Sequence, residues 1–465
     1  MRLRSFLLAS TILAVSSVSS ADIEVSVDPK QAVRSGSDRF VGINLNYIRD
    51  HDANRPPGSK ELKLALKEMN APWLRYPGGA KSDYHFWSKP PHKSTEPTSF
   101  GWYTTPEGRR LNFDEYVQLT RELDAIPYIV VAYDSGKDHE ITQQQYLDHA
   151  VAWVTYSNIT KGYGIKHWEI GNELWQDKVI DPREIADTVR KFSRAMKKVD
   201  PTIHVGASGN NQKWWDRFLP TAAPDLDFIS MSLYNCWGWG SYESYLNKDN
   251  LIKSTETALS SIEELPIEHR DRIYLVVAEI NSKDYSKDAW ADDNSLGHAI
   301  VTFESLCQLA QKSSVEAAML WTTRWMSDDE ADDSLWYALG PQNELKASGM
   351  AVSLFGNFMK EQIVLHSNKT RDIRIYASKS RGDAEIALFV INKRTQPVRN
   401  LKIQIDHTFD YQMDSTYVFA GKNADDTRPT LEPLDPVTIQ SNRIETISLP
   451  GPSVTVFNLS KVTSE

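Results

Sequence analysis

The chain has 465 residues, of which 40% are hydrophobic and 25% charged, and its formal net charge is −10 at pH 7. This length is sufficient for one barrel domain of about 250 residues together with a second domain. The acidic balance argues against nucleic acids and anionic membranes as partners, because both repel a negatively charged surface.

The first 21 residues have the pattern of a secretory signal peptide. Arg2 and Arg4 precede an apolar core from Phe6 to Val15, and small residues follow up to Ala21. The core is too short to span a bilayer, and no later stretch offers the roughly 18 uncharged apolar residues of a membrane helix. We therefore expect cleavage near Ala21 and a secreted or periplasmic protein that is not bound to a membrane. The sequence does not distinguish the periplasm from the extracellular medium.

From residue 39 to about residue 360, short apolar runs alternate with amphipathic stretches. Eight such alternations predict a (β/α)8 TIM barrel over residues 39–360. The apolar runs are rich in β-branched and aromatic residues, as strands covered on both faces usually are. The predicted strands are Phe40–Leu45, Trp73–Tyr76, Pro127–Ala132, His167–Gly171, His204–Ala207, Phe228–Leu233, Ile273–Ala278 and Ala317–Trp321.

Helical spacing of apolar residues separates several of these strands. Ser59 is expected to cap the first helix, and Pro182 after Asp181 indicates the start of another. The segment Ser82–Leu111 is rich in Pro, Lys, Thr and aromatic residues and is too long for a simple connector, so we assign it to a loop on the barrel rim. The predicted helices are Ser59–Asn70, Phe113–Asp124, Gln143–Asn158, Pro182–Val199 and Ser295–Lys312.

After residue 361 the pattern changes to apolar residues with period two, broken by turns. This pattern predicts an antiparallel β-sandwich over residues 361–465. Residues 22–38 contain an alternating stretch, Ile23–Val27, that is expected to add a strand to the sandwich. The sandwich is expected to cover the flank of the barrel, with an independent sugar-binding module as the alternative. Its predicted strands are Ile373–Ser378, Ala384–Asn392, Leu401–Ile405, Ser415–Ala420, Thr446–Leu449 and Ser453–Leu459.

Two glutamates stand at the ends of buried runs. Glu173 closes the run WEIGNE at 168–173, and Glu279 lies near the end of the run YLVVAEIN at 274–281. The carboxyl ends of parallel barrel strands meet at one rim, so the two side chains are expected to face the same cleft. Such a pair can protonate a leaving oxygen and attack an anomeric carbon, which is the chemistry of glycosidic bond cleavage. Either glutamate alone would fit a buried ion pair equally well.

These motifs resemble those of the clan A glycoside hydrolases, and most closely the α-L-arabinofuranosidase-like families of that clan. In the clan an Asn-Glu pair closes the fourth barrel strand and a glutamate closes the seventh, and Asn172-Glu173 and Glu279 match those positions. The resemblance covers nearly the whole chain after the signal peptide. It implies that Glu173 is the general acid/base, Glu279 the nucleophile, and Asn172 a donor to the sugar hydroxyl beside the anomeric carbon. A carboxyl separation of about 5–5.5 Å would make the mechanism retaining.

A second motif, LRYPGG at 74–79, resembles the arginine and Gly-Gly turn that follow the second strand in the arabinofuranosidase-like families. Arg75 is expected to hold Glu279 in its anionic form through hydrogen bonds. Tyr234, at the end of the sixth strand, is expected to hydrogen-bond the same carboxylate. Trp321, on the eighth strand, is expected to form the floor of the sugar site. Core packing is the alternative for both aromatic residues.

Four tryptophans lie in predicted rim loops: Trp175, Trp237, Trp239 and Trp325. A tryptophan in a loop needs more explanation than one in a core, because its indole ring is large and apolar. We expect two of the four, with Trp175 the leading candidate, to stack on the substrate.

The chain departs from the family pattern at two places. Many arabinofuranosidases of this type carry a glutamate after the first strand, where this chain has Asn44 and Asn46, and a histidine where it has Ser232. We assign Asn46 as a candidate substrate-binding residue. These departures do not affect the residues expected to cleave the glycosidic bond, but they leave the identity of the sugar undecided.

The sequence thus predicts a retaining glycoside hydrolase of plant or algal polysaccharides, with exo-action of the α-L-arabinofuranosidase type as the leading hypothesis. The alternatives are an endo-acting hydrolase of a galactan or xylan, and an inactive carbohydrate-binding protein on the same fold. No metal or nucleotide motif is present, so no cofactor or metal is predicted. Cys236 and Cys307 are expected to be buried thiols, with a disulfide between them as the alternative. The sequence does not predict the oligomeric state.

Overall fold

The computed structural model describes residues 23–99, 108–133, 141–176, 179–286, 289–290, 293–325, 337–367, 370–406, 409–435, 437–445 and 448–462. The predicted signal peptide lies outside the described residues, as do residues 100–107 of the predicted rim loop and residues 446–447 of a predicted sandwich strand. Among the helices that are described, none is both long enough and apolar enough to cross a membrane.

Eight parallel strands close into a barrel in the order of the chain. Each overlaps one of the eight strands predicted from the sequence, so the predicted barrel is confirmed. The strands are apolar along most of their length because the barrel interior and the surrounding helices cover both of their faces. They are Val41–Asn44, Trp73–Tyr76, Ile126–Val131, His167–Ile170, His204–Ser208, Phe228–Tyr234, Tyr274–Asn281 and Val315–Leu320; we refer to them as the first to eighth barrel strands.

Helices surround the barrel, and their ends follow local sequence signals. The Asp181 carboxylate accepts a hydrogen bond from the Arg183 amide at 2.9 Å, so the helix starts at Pro182 as predicted. The helix Leu296–Ala310 is buried on all sides, which explains why its pattern is apolar rather than one-faced. The described α-helices are Leu62–Met69, Phe113–Glu122, Gln143–Val154, Pro182–Val199, Gln212–Ala222, Glu243–Leu246, Lys253–Glu263, Ile267–Arg270, Leu296–Ala310 and Ala347–Phe358.

The first helix does not begin at Ser59 as predicted. It begins at Leu62, whose amide donates to the Asp52 carboxylate at 2.8 Å. Ser59 instead donates its hydroxyl hydrogen to the Pro56 carbonyl at 2.7 Å, which closes a turn before the helix. The carboxylate of Asp52, ten residues away, therefore takes the part that the sequence assigned to Ser59.

The second domain is built on one ten-stranded sheet with a separate two-stranded sheet of Val398–Arg399 and Ser448–Leu449. A two-stranded ribbon of His85–Phe86 and Thr98–Ser99 lies on the barrel rim. In spatial order the ten strands are Thr430–Pro433, Tyr411–Ala420, Ser453–Lys461, Glu385–Asn392, Ile373–Lys379, Gln362–His366, Ile23–Ser35, Leu401–Ile405, Arg443–Glu445 and Ile439–Gln440.

The N-terminal strand Ile23–Ser35 lies inside this sheet rather than at its edge. It pairs antiparallel with Gln362–His366 on one side and parallel with Leu401–Ile405 on the other. The strands after residue 361 pair antiparallel with one another, as predicted for the sandwich, and the N-terminal strand, for which the sequence predicted no direction, makes the sheet mixed. The direction of this strand is set by its connection to the first barrel strand, and no hairpin turn joins it to either neighbour, so parallel pairing is possible.

Both cysteines are free and buried. Burial raises the pKa of the Cys236 and Cys307 thiols well above the ordinary range, so both stay in the unreactive thiol form. Their role is that of small apolar core residues.

A buried ionic network joins the barrel to the second domain. Glu304, on the helix Leu296–Ala310, accepts from Lys393 Nζ at 2.8 Å and from Arg374 Nε at 3.1 Å. The hydroxyls of Tyr376 and Tyr245 also donate to this carboxylate. The side chains of Glu304 and Lys393 are both fully buried, so each charge depends on its partner for compensation.

We expect Glu304→Ala to lower the free energy of unfolding by about 3–5 kcal/mol, because the Lys393 ammonium would stay buried without its counter-ion. The measurement is urea unfolding of the whole chain. The matched control is Glu68→Ala, which removes an exposed carboxylate paired with Lys60 and should cost at most about 1 kcal/mol. Equal losses in the two variants would contradict an interface that depends on Glu304.

Candidate active site

A cavity of about 430 Å³ lies at the carboxyl ends of the barrel strands. It brings together six of the eight residues that the sequence singled out, and its volume falls in the range of small-molecule sites, about 300–1,000 Å³. The described residues that line it are Ala80, Asn172, Glu173, Trp175, Gln176, Tyr234, Trp237, Glu279, Tyr285, Trp321 and Trp325.

Glu279 projects from the seventh barrel strand, and donors hold both of its oxygens. Its Oε1 accepts from Arg75 at 3.0 Å and its Oε2 accepts from the Tyr234 hydroxyl at 2.9 Å. Burial raises the pKa of Glu279, while the charge of Arg75 and the two hydrogen bonds act in the opposite direction. The contacts that the sequence predicted for Arg75 and Tyr234 are thus present, and both favour the anionic form of this carboxylate.

Arg75 lies beneath the cavity and joins four side chains. In addition to Glu279, it donates to Glu169 Oε2 at 3.0 Å, to Asn44 Oδ1 at 2.8 Å and to Asn172 Oδ1 at 2.8 Å. Its side chain is only 1% exposed. The flanking carboxylates raise the pKa of the guanidinium despite its burial. Arg75 therefore positions the other residues, and it is not among the described residues that line the cavity.

The orientation of Asn172 follows from its contact with Arg75. Because its Oδ1 accepts from the guanidinium, its amide Nδ2 is left as the donor at the cavity wall. The backbone amide of Asn172 donates to Asp83 Oδ1 at 3.1 Å, and the Tyr133 amide also donates to this carboxylate. Burial raises the pKa of Asp83 well above its ordinary range, and these backbone donors oppose that effect. The turn that carries Asn172 is thus tied to the segment after the second strand.

Glu173 follows the fourth barrel strand in an unusual backbone conformation. Its φ is +47°, a left-handed value that side-chain-bearing residues rarely adopt. Gln176 Nε2 donates to its carboxylate, and the Ser232 hydroxyl forms a second hydrogen bond. Burial and then the charge of Glu279 raise the pKa of Glu173 to about 8. No cation lies within hydrogen-bond distance of this carboxyl group in the described part of the chain, whereas Glu279 binds the Arg75 guanidinium, so the surroundings of Glu173 favour its protonated form more than those of Glu279 do.

The Gly-Gly turn after the second strand is required by close packing. A Cβ on Gly78, whose φ is +96°, would lie 2.2 Å from the Leu45 carbonyl oxygen. A Cβ on Gly79 would lie 1.8 Å from the ring of Trp321. The two glycines therefore let the chain turn and let the Trp321 ring lie directly against the backbone.

Aromatic rings form much of the cavity wall. Trp321 is buried and contacts Trp325 edge to face at a centroid distance of 5.3 Å. Trp237 is 65% exposed and Tyr285 is 40% exposed, which places them at the mouth of the cavity. Such rings suit stacking on the apolar face of a sugar.

Of the four predicted rim tryptophans, Trp175, Trp237 and Trp325 line the cavity. Trp239 does not belong to the described lining, because its ring stacks on Tyr245 at 6.2 Å and packs under Lys248. The structure thus brings three of the four indoles to the place where a substrate would bind.

Asn46 has a different environment from the one predicted. It is fully buried, its Nδ2 donates to the Arg324 carbonyl at 3.0 Å, and its Oδ1 accepts from the Ile48 amide at 3.2 Å. It is not among the described residues that line the cavity. The loop backbone occupies both ends of the amide, and substrate binding by Asn46 stays a prediction.

Several residues of the site were missed by the sequence reasoning. Glu169 and Asn44 bind Arg75, and Ser232 and Gln176 bind Glu173. A signal for Glu169 was available, because a carboxylate within an apolar strand requires a buried cation. Ser232 was marked only as a departure from the family pattern, and no comparable signal marks Gln176. Among the described residues, no cluster of three or more histidine, cysteine or carboxylate side chains could hold a metal ion.

A closed parallel barrel that carries glutamates at the ends of its fourth and seventh strands, packed against a β-rich domain, has the fold of the clan A glycoside hydrolases. Within that class the chain is similar to the α-L-arabinofuranosidases. Residues 65–250 match the family described as "Alpha-L-arabinofuranosidase 1 domain". This range contains Arg75, Asn172, Glu173 and Tyr234 but ends before Glu279.

Similar proteins agree with this assignment. The chain is 28% identical over 212 residues to a protein of Aspergillus fumigatus described as "Probable alpha-L-arabinofuranosidase C", a match that covers 38% of this chain and 40% of that protein. It is 27% identical over 203 residues to "Intracellular exo-alpha-L-arabinofuranosidase" of Bacteroides ovatus, covering 40% of each. The chain thus spans about two fifths of the length of these curated relatives.

Among solved structures, the α-L-arabinofuranosidase of Thermotoga maritima in its arabinose complex superposes with a TM-score of 0.73 at 20% identity, covering 94% of this chain and 100% of that one. The family 51 enzyme of Thermotoga petrophila superposes with a TM-score of 0.72 at 20% identity, covering 94% and 99%. At this level of identity the similarity shows a shared fold.

We expect Glu173→Gly to be more stable than Glu173→Ala by about 1 kcal/mol, because alanine at φ +47° keeps the backbone strain that glycine relieves. Thermal melting of the two variants gives the comparison. The same pair at Glu184, an exposed position in the helix Pro182–Val199, should show the opposite order. Alanine as the more stable variant at both positions would contradict strain at Glu173.

Proposed function

We propose that this protein is an exported, retaining glycoside hydrolase that removes α-L-arabinofuranosyl units from plant or algal polysaccharide or oligosaccharide. The observation that carries the proposal is the unequal bonding of the two cavity carboxylates. Glu279 receives hydrogen bonds from a guanidinium and a tyrosine, whereas the donors to Glu173 among the described residues are an amide and a hydroxyl. One carboxylate is therefore prepared to attack, and the other is prepared to donate a proton.

In the first step, Glu173 gives its proton to the glycosidic oxygen while Glu279 attacks the anomeric carbon. The bond to the leaving group breaks and a glycosyl ester on Glu279 forms. In the second step, Glu173, now a carboxylate, takes a proton from a water molecule that attacks the same carbon, and Glu279 departs. The high pKa of Glu173 in the presence of anionic Glu279 falls once Glu279 is esterified, because the neighbouring charge is removed. This change suits the switch from acid to base.

Asn172 and Tyr234 support the reacting centre. The free Nδ2 of Asn172 is placed to donate to the hydroxyl beside the anomeric carbon, and such hydrogen bonds strengthen as positive charge develops on the sugar ring. Tyr234 holds the attacking oxygen of Glu279 in one orientation. A preorganised carboxylate needs little rearrangement as the reaction proceeds.

The arabinofuranoside assignment is supported by the family match over residues 65–250 and by relatives described as arabinofuranosidases. The exposed ring of Trp237 favours a second candidate, endo-action on a galactan or xylan. A ring that is 65% exposed at the cavity mouth could stack on a sugar beyond the cleaved bond. Ser232 in place of the family's histidine is a further reason to test more than one sugar.

Export is proposed from the sequence of residues 1–21, which places two arginines before a short apolar core and small residues. A polysaccharide too large to enter the cell would then meet the enzyme outside the cytoplasm. Processing can be checked by the N-terminal sequence of the protein recovered from the periplasm or the medium.

The function is tested by product release from aryl glycosides and from plant and algal polysaccharides, with the anomeric form of the first product followed by NMR. Release of arabinose from an aryl α-L-arabinofuranoside with retained configuration supports the proposal. Release of oligosaccharides alone supports the endo-acting candidate. If the folded protein releases no product from any of these substrates, the result would favour a carbohydrate-binding protein.

Alanine variants of the two glutamates should lose activity in different ways. We expect Glu279→Ala to have no detectable turnover, because no nucleophile remains. Glu173→Ala should lose about 10²–10⁴-fold on substrates with poor leaving groups and much less on dinitrophenyl glycosides, which need no proton. Added azide should accelerate Glu173→Ala and give a glycosyl azide with the configuration of the substrate. Rates and azide products are followed by absorbance and NMR.

The matched control for these variants is Glu316→Ala, which removes an exposed glutamate from the opposite end of the eighth barrel strand. Its activity should equal that of the unmodified protein. Ordinary turnover of a natural glycoside by both Glu173→Ala and Glu279→Ala would refute the assignment of the pair.

The pKa of Glu173, about 8, sets the alkaline limit of activity, because the carboxyl group must be protonated to act as an acid. We expect kcat/KM to fall about tenfold per pH unit above pH 8. The Ser232 hydroxyl lowers this pKa by stabilising the carboxylate, so Ser232→Ala should move the limit to higher pH by about 0.5–1 unit. The pH profiles of both proteins give the comparison, and a shift to lower pH in Ser232→Ala would show that this hydrogen bond does not act on the acid.

A further inference from the structure

We propose that Lys81 is a positioning residue of the sugar-binding cavity, whose buried ammonium group holds the rings of Trp321 and Trp325 in place, so that sugar binding depends on the charge of Lys81. The binding part of this inference rests on the proposed function. The part that concerns the two indole rings stands independently of any substrate.

Lys81 follows the Gly-Gly turn in a short 3-10 helix, Gly79–Tyr84. Its Nζ lies over the Trp321 ring at 4.9 Å from the centroid and over the Trp325 ring at 4.7 Å. Both rings line the cavity, whereas Lys81 is fully buried and is not among the described lining residues. Lys81 therefore acts on the cavity through the two rings.

The ammonium group has no hydrogen-bond partner among the described residues. An ammonium ion removed from water without hydrogen bonds is strongly disfavoured unless other groups stabilise its charge. The faces of two tryptophans supply such stabilisation, since the cation–π interaction is strongest with tryptophan and increases when water is excluded. The same attraction holds the rings toward Lys81.

The two rings also have little freedom on their other sides. The Trp321 ring lies against Gly79, where even a Cβ would be too close, and Trp325 meets Trp321 edge to face at 5.3 Å. Trp321 thus packs against the backbone, and Trp325 contacts both the neighbouring ring and the ammonium group.

Three charged groups on three elements act on Lys81. Asp50, after the first strand, and Glu279, on the seventh, favour its charged form, and Arg75, on the second, disfavours it. Asp50 is itself paired with Arg324 at 2.6 Å, which weakens its influence on Lys81. Burial outweighs these interactions and lowers the pKa of Lys81 to about 7. The ammonium is therefore lost as the pH rises from 6 to 8.

The test compares the unmodified protein with Lys81→Met, which keeps the length of the side chain without its charge, and with Lys81→Arg, which keeps the charge. KM for an aryl α-L-arabinofuranoside is measured at pH 6 and pH 8. In the unmodified protein KM should rise severalfold between these values. Lys81→Met should show a KM about tenfold higher at pH 6, no further rise at pH 8, and a kcat within about threefold.

Tryptophan fluorescence tests the rings without a substrate. The unmodified protein should show a change in emission with a midpoint near pH 7, and Lys81→Met should lack it. Lys81→Arg should keep a low KM at both pH values. If the arginine variant fails to fold, the comparison of the unmodified protein with Lys81→Met still tests the inference.

An unchanged KM at pH 6 in Lys81→Met, or a fluorescence change that persists in that variant, would overturn the inference. A protein that cleaves no arabinofuranoside but shows the Lys81-dependent fluorescence change would contradict the proposed substrate and support the role of Lys81 beside the two rings. The two failures are therefore distinguishable.

Discussion

The site depends on the buried guanidinium of Arg75. This one group, on the second barrel strand, binds Asn44 at the end of the first strand, Glu169 and Asn172 at the fourth, and Glu279 on the seventh. Its donors lie in one rigid plane, so all of these acceptors must lie at fixed angles around it. The closure of the barrel and the orientation of the Glu279 carboxylate are consequently maintained by the same interaction, and the low dielectric of the interior makes each contact strong.

The difference between the two cavity carboxylates is a difference in their surroundings. Glu279 is anchored in a regular strand and receives a charged donor. Glu173 lies just beyond its strand at a left-handed backbone angle, and its hydrogen-bond donors in the described part of the chain are neutral. Two identical side chains are thereby separated in proton affinity through position alone, and strain in the backbone is the cost of presenting Glu173 to the cavity.

The sequence was sufficient for the barrel and for the position of the two glutamates at one rim, because both rest on local patterns. Strands buried on two faces are apolar throughout, and each glutamate ends such a run, so strand order already placed the pair at one rim. Contacts between residues that are far apart in the chain could not be predicted from local sequence patterns. The cap of the first helix comes from Asp52, and Arg75 binds Glu169, which lies 94 residues away. The choice between Asn44 and Asn46 depended on where the first strand ends, and element boundaries are the weakest part of such predictions.

The N-terminal strand Ile23–Ser35 has a consequence for the modularity of the chain. Val27 pairs with His366 on one side and with Ile405 on the other, so the middle of the large sheet is filled from a segment that precedes the entire barrel. The sheet cannot be completed until the last third of the chain is available, and such long-range pairing slows folding. A barrel cut off after its last helix would carry a strand with two unpaired edges, a template for aggregation. The barrel is therefore not an independent unit, and recombination with other domains would have to carry both ends of the chain together.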